Sequence, residues 1–120
     1  MNKKPTSRDE VFWRLEVEIK RGKLEDFLSV ARDLIDIMDE ESGTLDYEYC
    51  LNADKTVCHI HERYRDSVGL ITHAENFGRV FSERFMQACN PTRFNVYGTP
   101  NDAAKTILAQ YGPTYFIKFR

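Results

Sequence analysis

From Val11 to Ile19 apolar and polar residues alternate, with Trp13, Leu15, Val17 and Ile19 on one face and Arg14, Glu16 and Glu18 on the other. A period of two predicts a half-buried strand. Arg21-Gly22 then turns the chain. From Leu24 the apolar positions Phe27, Leu28, Ala31, Leu34, Ile35 and Met38 fall at helical spacing. Ser42-Gly43 ends that helix. Thr44 to Leu51 alternates again with Leu45, Tyr47, Tyr49 and Leu51 on the apolar side, and Asn52 to Lys55 predicts a turn into a third strand, Thr56 to Arg65.

If Asn52 pairs with Lys55, Tyr49 faces Cys58, Tyr47 faces Ile60 and Leu45 faces Glu62. On the opposite side Glu48 then meets His59, Asp46 meets His61 and Thr44 meets Arg63. That register matches apolar with mostly apolar and acid with imidazole. A slip of one residue would bring Cys50 opposite Cys58 but scramble both faces, so no Cys50–Cys58 disulfide is expected.

Asp66 is placed to cap a second helix. Its inward face is expected to begin with Val68, Ile71 and Ala74 and continue with Phe77, Phe81 and Phe85, with a kink at Glu75-Asn76. Asn90-Pro91 ends it, and Thr92 to Tyr97 forms a fourth strand with Phe94 and Val96 inward. The order β-α-β-β-α-β is that of an α+β, ferredoxin-like domain. Beyond it, Thr99-Pro100-Asn101 opens a short helix carrying Ala103, Ala104, Ile107, Leu108 and Tyr111. Gly112-Pro113 breaks it before an apolar strand, Tyr115 to Phe119. The expected layout is a tail over 1–9, one domain over 10–98 and a helix–strand extension of it over 99–120.

Two helices cannot cover both faces of a four-stranded sheet. A second copy of the sheet is the economical cover, which predicts a homodimer through Arg14, Glu16, Glu48, His59, His61, Arg63, Arg93 and Tyr97.

Composition narrows the function. The chain has 120 residues, 17 basic and 19 acidic, for a net charge of -2. The two signs are interspersed, so no basic stripe marks a nucleic-acid or anionic membrane face. No apolar run reaches ~18 residues. The polar N-terminus is no secretory leader, and the three cysteines Cys50, Cys58 and Cys89 have no metal-ligand spacing. A cytoplasmic protein with no nucleic-acid or membrane partner is expected. His59 and His61 share a strand face, but two ligands do not make a metal site.

The segments Arg21-Gly22-Lys23, Glu41-Ser42-Gly43-Thr44-Leu45-Asp46-Tyr47 and Glu62-Arg63-Tyr64-Arg65-Asp66, with His73, Phe77 and Phe81 beyond, occur in this order. In these features residues 11 to 98 resemble the antibiotic biosynthesis monooxygenase family, whose members are dimeric α/β barrels. The resemblance implies an oxidoreductase: a monooxygenase needing no cofactor, which uses O₂ to oxidise a small electron-rich aromatic or quinol-type substrate. The haem-degrading branch combines an Asn, a Trp and a His, a set this chain does not match.

Alternation turns Glu62 toward the helices beside Cys58, Ile60 and Tyr64. A helix starting at Asp66 brings His73 back to it about two turns later. A buried carboxylate beside an imidazole suits proton transfer, so Glu62 and His73 are the candidate catalytic pair. Trp13, Tyr47, Tyr49, Tyr64, Phe77 and Phe81 are the candidate ring-binding residues. The alternative is a non-catalytic dimer that binds a small ligand or serves a structural role.

Overall fold

A computed structural model describes residues 8–119. Residues 1–7 of the expected tail lie outside the described residues, and Arg8 and Asp9 stand in a turn. The elements follow in the order β1 (Val11–Ile19), α1 (Leu24–Met38), β2 (Thr44–Leu51), β3 (Val57–Tyr64), α2 (Ser67–Asn76), a π-helical segment (Phe77–Phe81) and α3 (Ser82–Ala88). After these come β4 (Cys89–Tyr97), α4 (Asp102–Leu108), a 3₁₀ turn (Ala109–Tyr111) and β5 (Thr114–Phe116). The sheet order is β2-β3-β1-β4-β5. The first four strands pair antiparallel and β5 joins β4 in parallel, so the ferredoxin-like core carries an added edge strand. Among the described residues no helix is long and apolar enough to cross a membrane.

All helices named in the core packing lie on one side of the sheet. Phe27, Val30 and Leu34 of α1 join Phe81, Phe85 and Ala88 over Val17, Tyr47, Cys58 and Ile60. Leu70 of α2 joins Ala104 and Leu108 of α4 over Val11, Trp13, Tyr64 and Val96. Each Val, Leu, Ile or Phe among them contributes about 1.5–3 kcal/mol on full burial. The other face carries the eight residues expected for a dimer contact, and none of them is fully buried. It also bears a stack of rings: Phe12 on Tyr97 at 4.7 Å and Tyr97 on Phe116 at 5.2 Å.

Several expectations need correction. The β2–β3 hairpin is shifted by two residues: Tyr49 faces Ile60, Tyr47 faces Glu62, Glu48 faces His61 and Cys50 faces His59. Asn52 pairs with Val57 instead of Lys55, its N–H donating to the Val57 carbonyl at 3.0 Å. Its side-chain oxygen accepts from Thr56 and Val57 N–H, and Lys55 takes φ 60°. These contacts build a wider loop. A shift of two keeps every side chain on its own face, so alternation cannot detect it. Leu45 has no partner at all, because β2 bulges between Thr44 and Asp46. All three cysteines are free.

Asp66 caps α2, accepting from Gly69 N–H at 2.9 Å, but the buried face is Gly69, Leu70, His73 and Ala74. Val68 is 69% exposed. The cap places Val68 in the first turn on the solvent side, and a single apolar residue there does not define a face. The kink expected at Glu75-Asn76 takes the form of the π-helical segment just beyond, where Ser82 N–H reaches back to the Phe77 carbonyl. Phe81 in that turn and Phe85 beyond it are buried in the core, and Phe77 packs against them half-buried.

The helix stops at Ala88 and β4 already includes Asn90 and Pro91, because the β1–β4 ladder breaks register between Glu16 and Val17. A bulge there tolerates a residue with no N–H. Asn101 caps α4, accepting from Ala104 N–H. Gly112 ends the following turn at φ 63°. The last strand begins at Thr114 and stops at Phe116, shorter than expected, since only three residues find partners on β4.

Candidate active site

Glu62 sits on β3 and His73 on α2, and both are nearly inaccessible to solvent. His73 Nε2 lies 3.4 Å from Glu62 Oε1. The ring's other nitrogen, Nδ1, lies 2.9 Å from Glu41 Oε1. Glu41 is buried at the end of the loop after α1, where Asn76 donates to its Oε2 at 2.7 Å and Thr44 to its Oε1 at 3.0 Å. Tyr64 donates its hydroxyl proton to Glu62, and Trp13 stands opposite Glu62 across the β1–β3 ladder.

Two glycines let this happen. A Cβ on Gly43 would stand 2.5 Å from the Gly69 Cα, and one on Gly69 would stand 2.8 Å from the Gly43 carbonyl oxygen. The loop that carries Glu41 therefore touches the first turn of α2 backbone to backbone, and His73 follows one turn later.

Burial raises the Glu62 pKa above its ordinary value, against the opposing pull of His73, Tyr64 and Trp13. Burial would depress His73, but the Glu41 hydrogen bond and the charges of Glu62 and Glu41 reverse this and raise it. For Glu41 burial is again the largest influence, yet the hydrogen bonds from His73 and Asn76 outweigh it and lower the pKa. Glu41 therefore holds its charged form more readily than usual and His73 its protonated form, and Glu62 is the carboxyl with a heightened affinity for a proton.

A cavity of about 420 Å³ opens beside this pair, within the ~300–1,000 Å³ range of small-molecule sites. Trp13, Tyr47, Tyr49, Glu62, His73 and Phe77 line it. Pro91 and Phe94 of β4 and Phe85 and Met86 of α3 add to its walls, and Leu108, Gln110 and Tyr111 close one side. Two residues expected there are elsewhere. Tyr64 is fully buried among the residues beneath α2 and lies behind the wall, bonded to Glu62 and packed on the rings of Trp13 and His73. Phe81 belongs to the core under α1 and is not among the lining residues, whereas Phe77 packs against that core from the cavity side.

Sequence reasoning assigned no role to Glu41. It lies in no periodic segment, and only the close glycine pair, visible in three dimensions, delivers it to His73. Gln110 and Tyr111, which also line the cavity, were likewise given no role at a site.

The antibiotic biosynthesis monooxygenase family model matches residues 11–77. Among curated proteins no sequence matches the chain. Among solved structures, MupZ from Pseudomonas fluorescens superposes with a TM-score of 0.81 at 27% identity, covering 92% of this chain and 91% of that one. SnoaB, a cofactor-independent oxygenase from Streptomyces nogalater, superposes with a TM-score of 0.65 at 12% identity, covering 78% and 95%. A conserved protein from Methanosarcina mazei Go1 gives 0.66 at 18% identity over 75% and 92%. The last two likenesses speak for the fold alone.

Proposed function

The chain belongs to the antibiotic biosynthesis monooxygenase family, and we propose that it oxidises a small aromatic or quinol-type substrate with O₂, without a cofactor. The observation that carries this reading is the Glu62–His73 pair, 3.4 Å apart at the wall of an aromatic-lined cavity. A substrate ring would lie among Trp13, Tyr47, Tyr49 and Phe77. Glu62, backed by His73, would take a proton from an acidic O–H or C–H.

The resulting anion is a far better electron donor to O₂ than the neutral molecule. For an anthrone-type methylene the balance is CH₂ + O₂ → C=O + H₂O: all four electrons come from the substrate, so no outside reductant enters. The protein's own work is to bind the ring, remove the proton and hold the anion near the His73 ring. The open sheet face supports a homodimer as the working unit.

The test is O₂ uptake and product formation with a panel of hydroquinones and anthrones. His73→Ala and Glu62→Gln are expected to abolish uptake while the fold is retained. No uptake across the panel by the wild-type protein would overturn the proposal. A second reading is favoured by the raised proton affinity of Glu62 beside His73: such a pair also suits acid–base chemistry without O₂. Substrate consumed without O₂ loss would identify that chemistry.

A further inference from the structure

The Tyr47 and Tyr49 hydroxyls lie 2.9 Å apart and form no other hydrogen bond among the described residues. Both side chains line the cavity, as residues two apart on a strand can. A phenol hydroxyl has a single proton to donate. One of the two protons bridges the pair, so the other has no acceptor among the described residues. Whichever way the bridge is oriented, one donor remains for a cavity ligand.

Both phenols stay neutral: burial first, then the Glu62 charge, raises each pKa well above its ordinary value. The donor is close to the proton-transfer pair. Tyr47 stands directly opposite Glu62 across the β2–β3 ladder, and its ring packs edge-on against His73 at 5.2 Å between centroids. No lysine or arginine is among the residues that line the cavity, and its one basic side chain, His73, is already engaged by Glu41 and Glu62, so no unengaged cation there meets a carboxylate or a phosphate.

We propose that Tyr47 and Tyr49 form a hydrogen-bond donor site for an uncharged acceptor oxygen of the substrate, a carbonyl or ether oxygen on the same edge as the acidic proton. This selects neutral keto- or alkoxy-substituted rings over carboxylated or phosphorylated ones. It rests on the cavity being the substrate site, and it concerns recognition, not turnover.

Trp13 is the single tryptophan of the sequence and lines the cavity, so its fluorescence reports occupancy without any reaction. The probes are 1-acetylnaphthalene and its carbonyl-free analogue of similar shape, 1-isopropenylnaphthalene. Wild-type protein is expected to bind the ketone about tenfold more tightly, the worth of one good hydrogen bond in a desolvated site. Tyr47→Phe and Tyr49→Phe each keep one hydroxyl and most of that preference. The double variant is expected to lose the preference while binding the hydrocarbon as before.

Equal binding of both probes by the wild type would overturn the proposal, and so would an unchanged preference in a folded double variant. The wild-type comparison decides even if the double variant does not fold. Ketone preference without O₂ uptake would sink the oxygenase reading alone. Quenching by neither probe would sink the binding site itself.

Discussion

Glu41 Oε1 lies 2.9 Å from His73 Nδ1, although 32 residues separate the two along the chain. With Nδ1 engaged, only Nε2 can face Glu62, so Glu41 fixes the orientation of the ring and supports its charge. Glu41→Gln keeps the shape and removes the charge. The His73 titration midpoint, followed by NMR, is expected to fall, and the protein is expected to lose about 1–3 kcal/mol of stability. An unchanged midpoint would show that Glu41 does not set the imidazole's proton affinity.

The same three groups predict how stability follows pH. Glu41 has a lowered pKa, so its contribution is present above its unfolded value of 4.5 and is lost as pH falls through the lower folded value. His73 has a raised pKa, so its contribution is full below 6.5 and fades as pH rises through the folded value. Glu62 is also raised, so the stability it provides is complete below 4.5 and declines as pH climbs through its folded value. Gln at position 62 cannot ionise. Between pH 4.5 and neutrality the melting temperature of Glu62→Gln is expected to fall less than that of the wild type. Parallel curves would refute this.

Gly69→Ala offers a test whose sign is informative. In an open helix this change would stabilise by about 1 kcal/mol. Here the new methyl would meet the Gly43 backbone at 2.8–2.9 Å, and the loop would have to move. A loss of about 1–3 kcal/mol is expected, together with a shifted His73 resonance, since the displaced loop carries Glu41. A more stable variant would show that the close approach is not required.

The open sheet face is expected to hold a second copy. Phe12, Tyr97 and Phe116 stack across three neighbouring strands, and the Arg14 guanidinium lies 5.7 Å from the Tyr97 ring centre. Sedimentation at micromolar concentration is expected to give a dimer, and a standard interface buries ~1,600 Å² in total. Tyr97→Lys should shift the protein toward monomer. A wild-type monomer would remove the dimer from the account.

Deleting residues 112–120 would strip β5 from β4, with the ladder around Thr114, Tyr115 and Phe116 and the bond from Gly98 N–H to the Phe116 carbonyl. A few ladder bonds at 0.5–1.5 kcal/mol each give an expected loss of about 1–3 kcal/mol. The freed β4 edge should also lower solubility. An unchanged melting curve would count against a structural role for the strand.

Much of this architecture is written in periodicity. Trp13, Leu15 and Val17 declare a strand face, and Phe27, Ala31 and Leu34 a helix face, because burial imposes those periods directly. The meeting of Glu62 with His73 follows from the same logic, since a strand face and a capped helix start fix two directions in space. What stayed hidden depends on offsets that leave the pattern intact. A two-residue shift of the hairpin preserves both faces and so escapes notice. The π-helical turn at Phe77–Phe81 adds one residue that no local propensity announces. Glu41 reaches the site through contact between Gly43 and Gly69, which are distant in sequence and unremarkable when read singly.

The cavity walls run from Trp13 on the central strand to Tyr111 in the last helical turn. β1 is synthesised first but lies between β3 and β4, and β4 arrives only at residues 89–97. The acid–base groups come from residues 41–73, whereas much of the enclosure comes from α3, β4 and the turn after α4. Insertions or truncations in the C-terminal third would therefore reshape what the chamber admits without touching a single one of those proton-carrying groups.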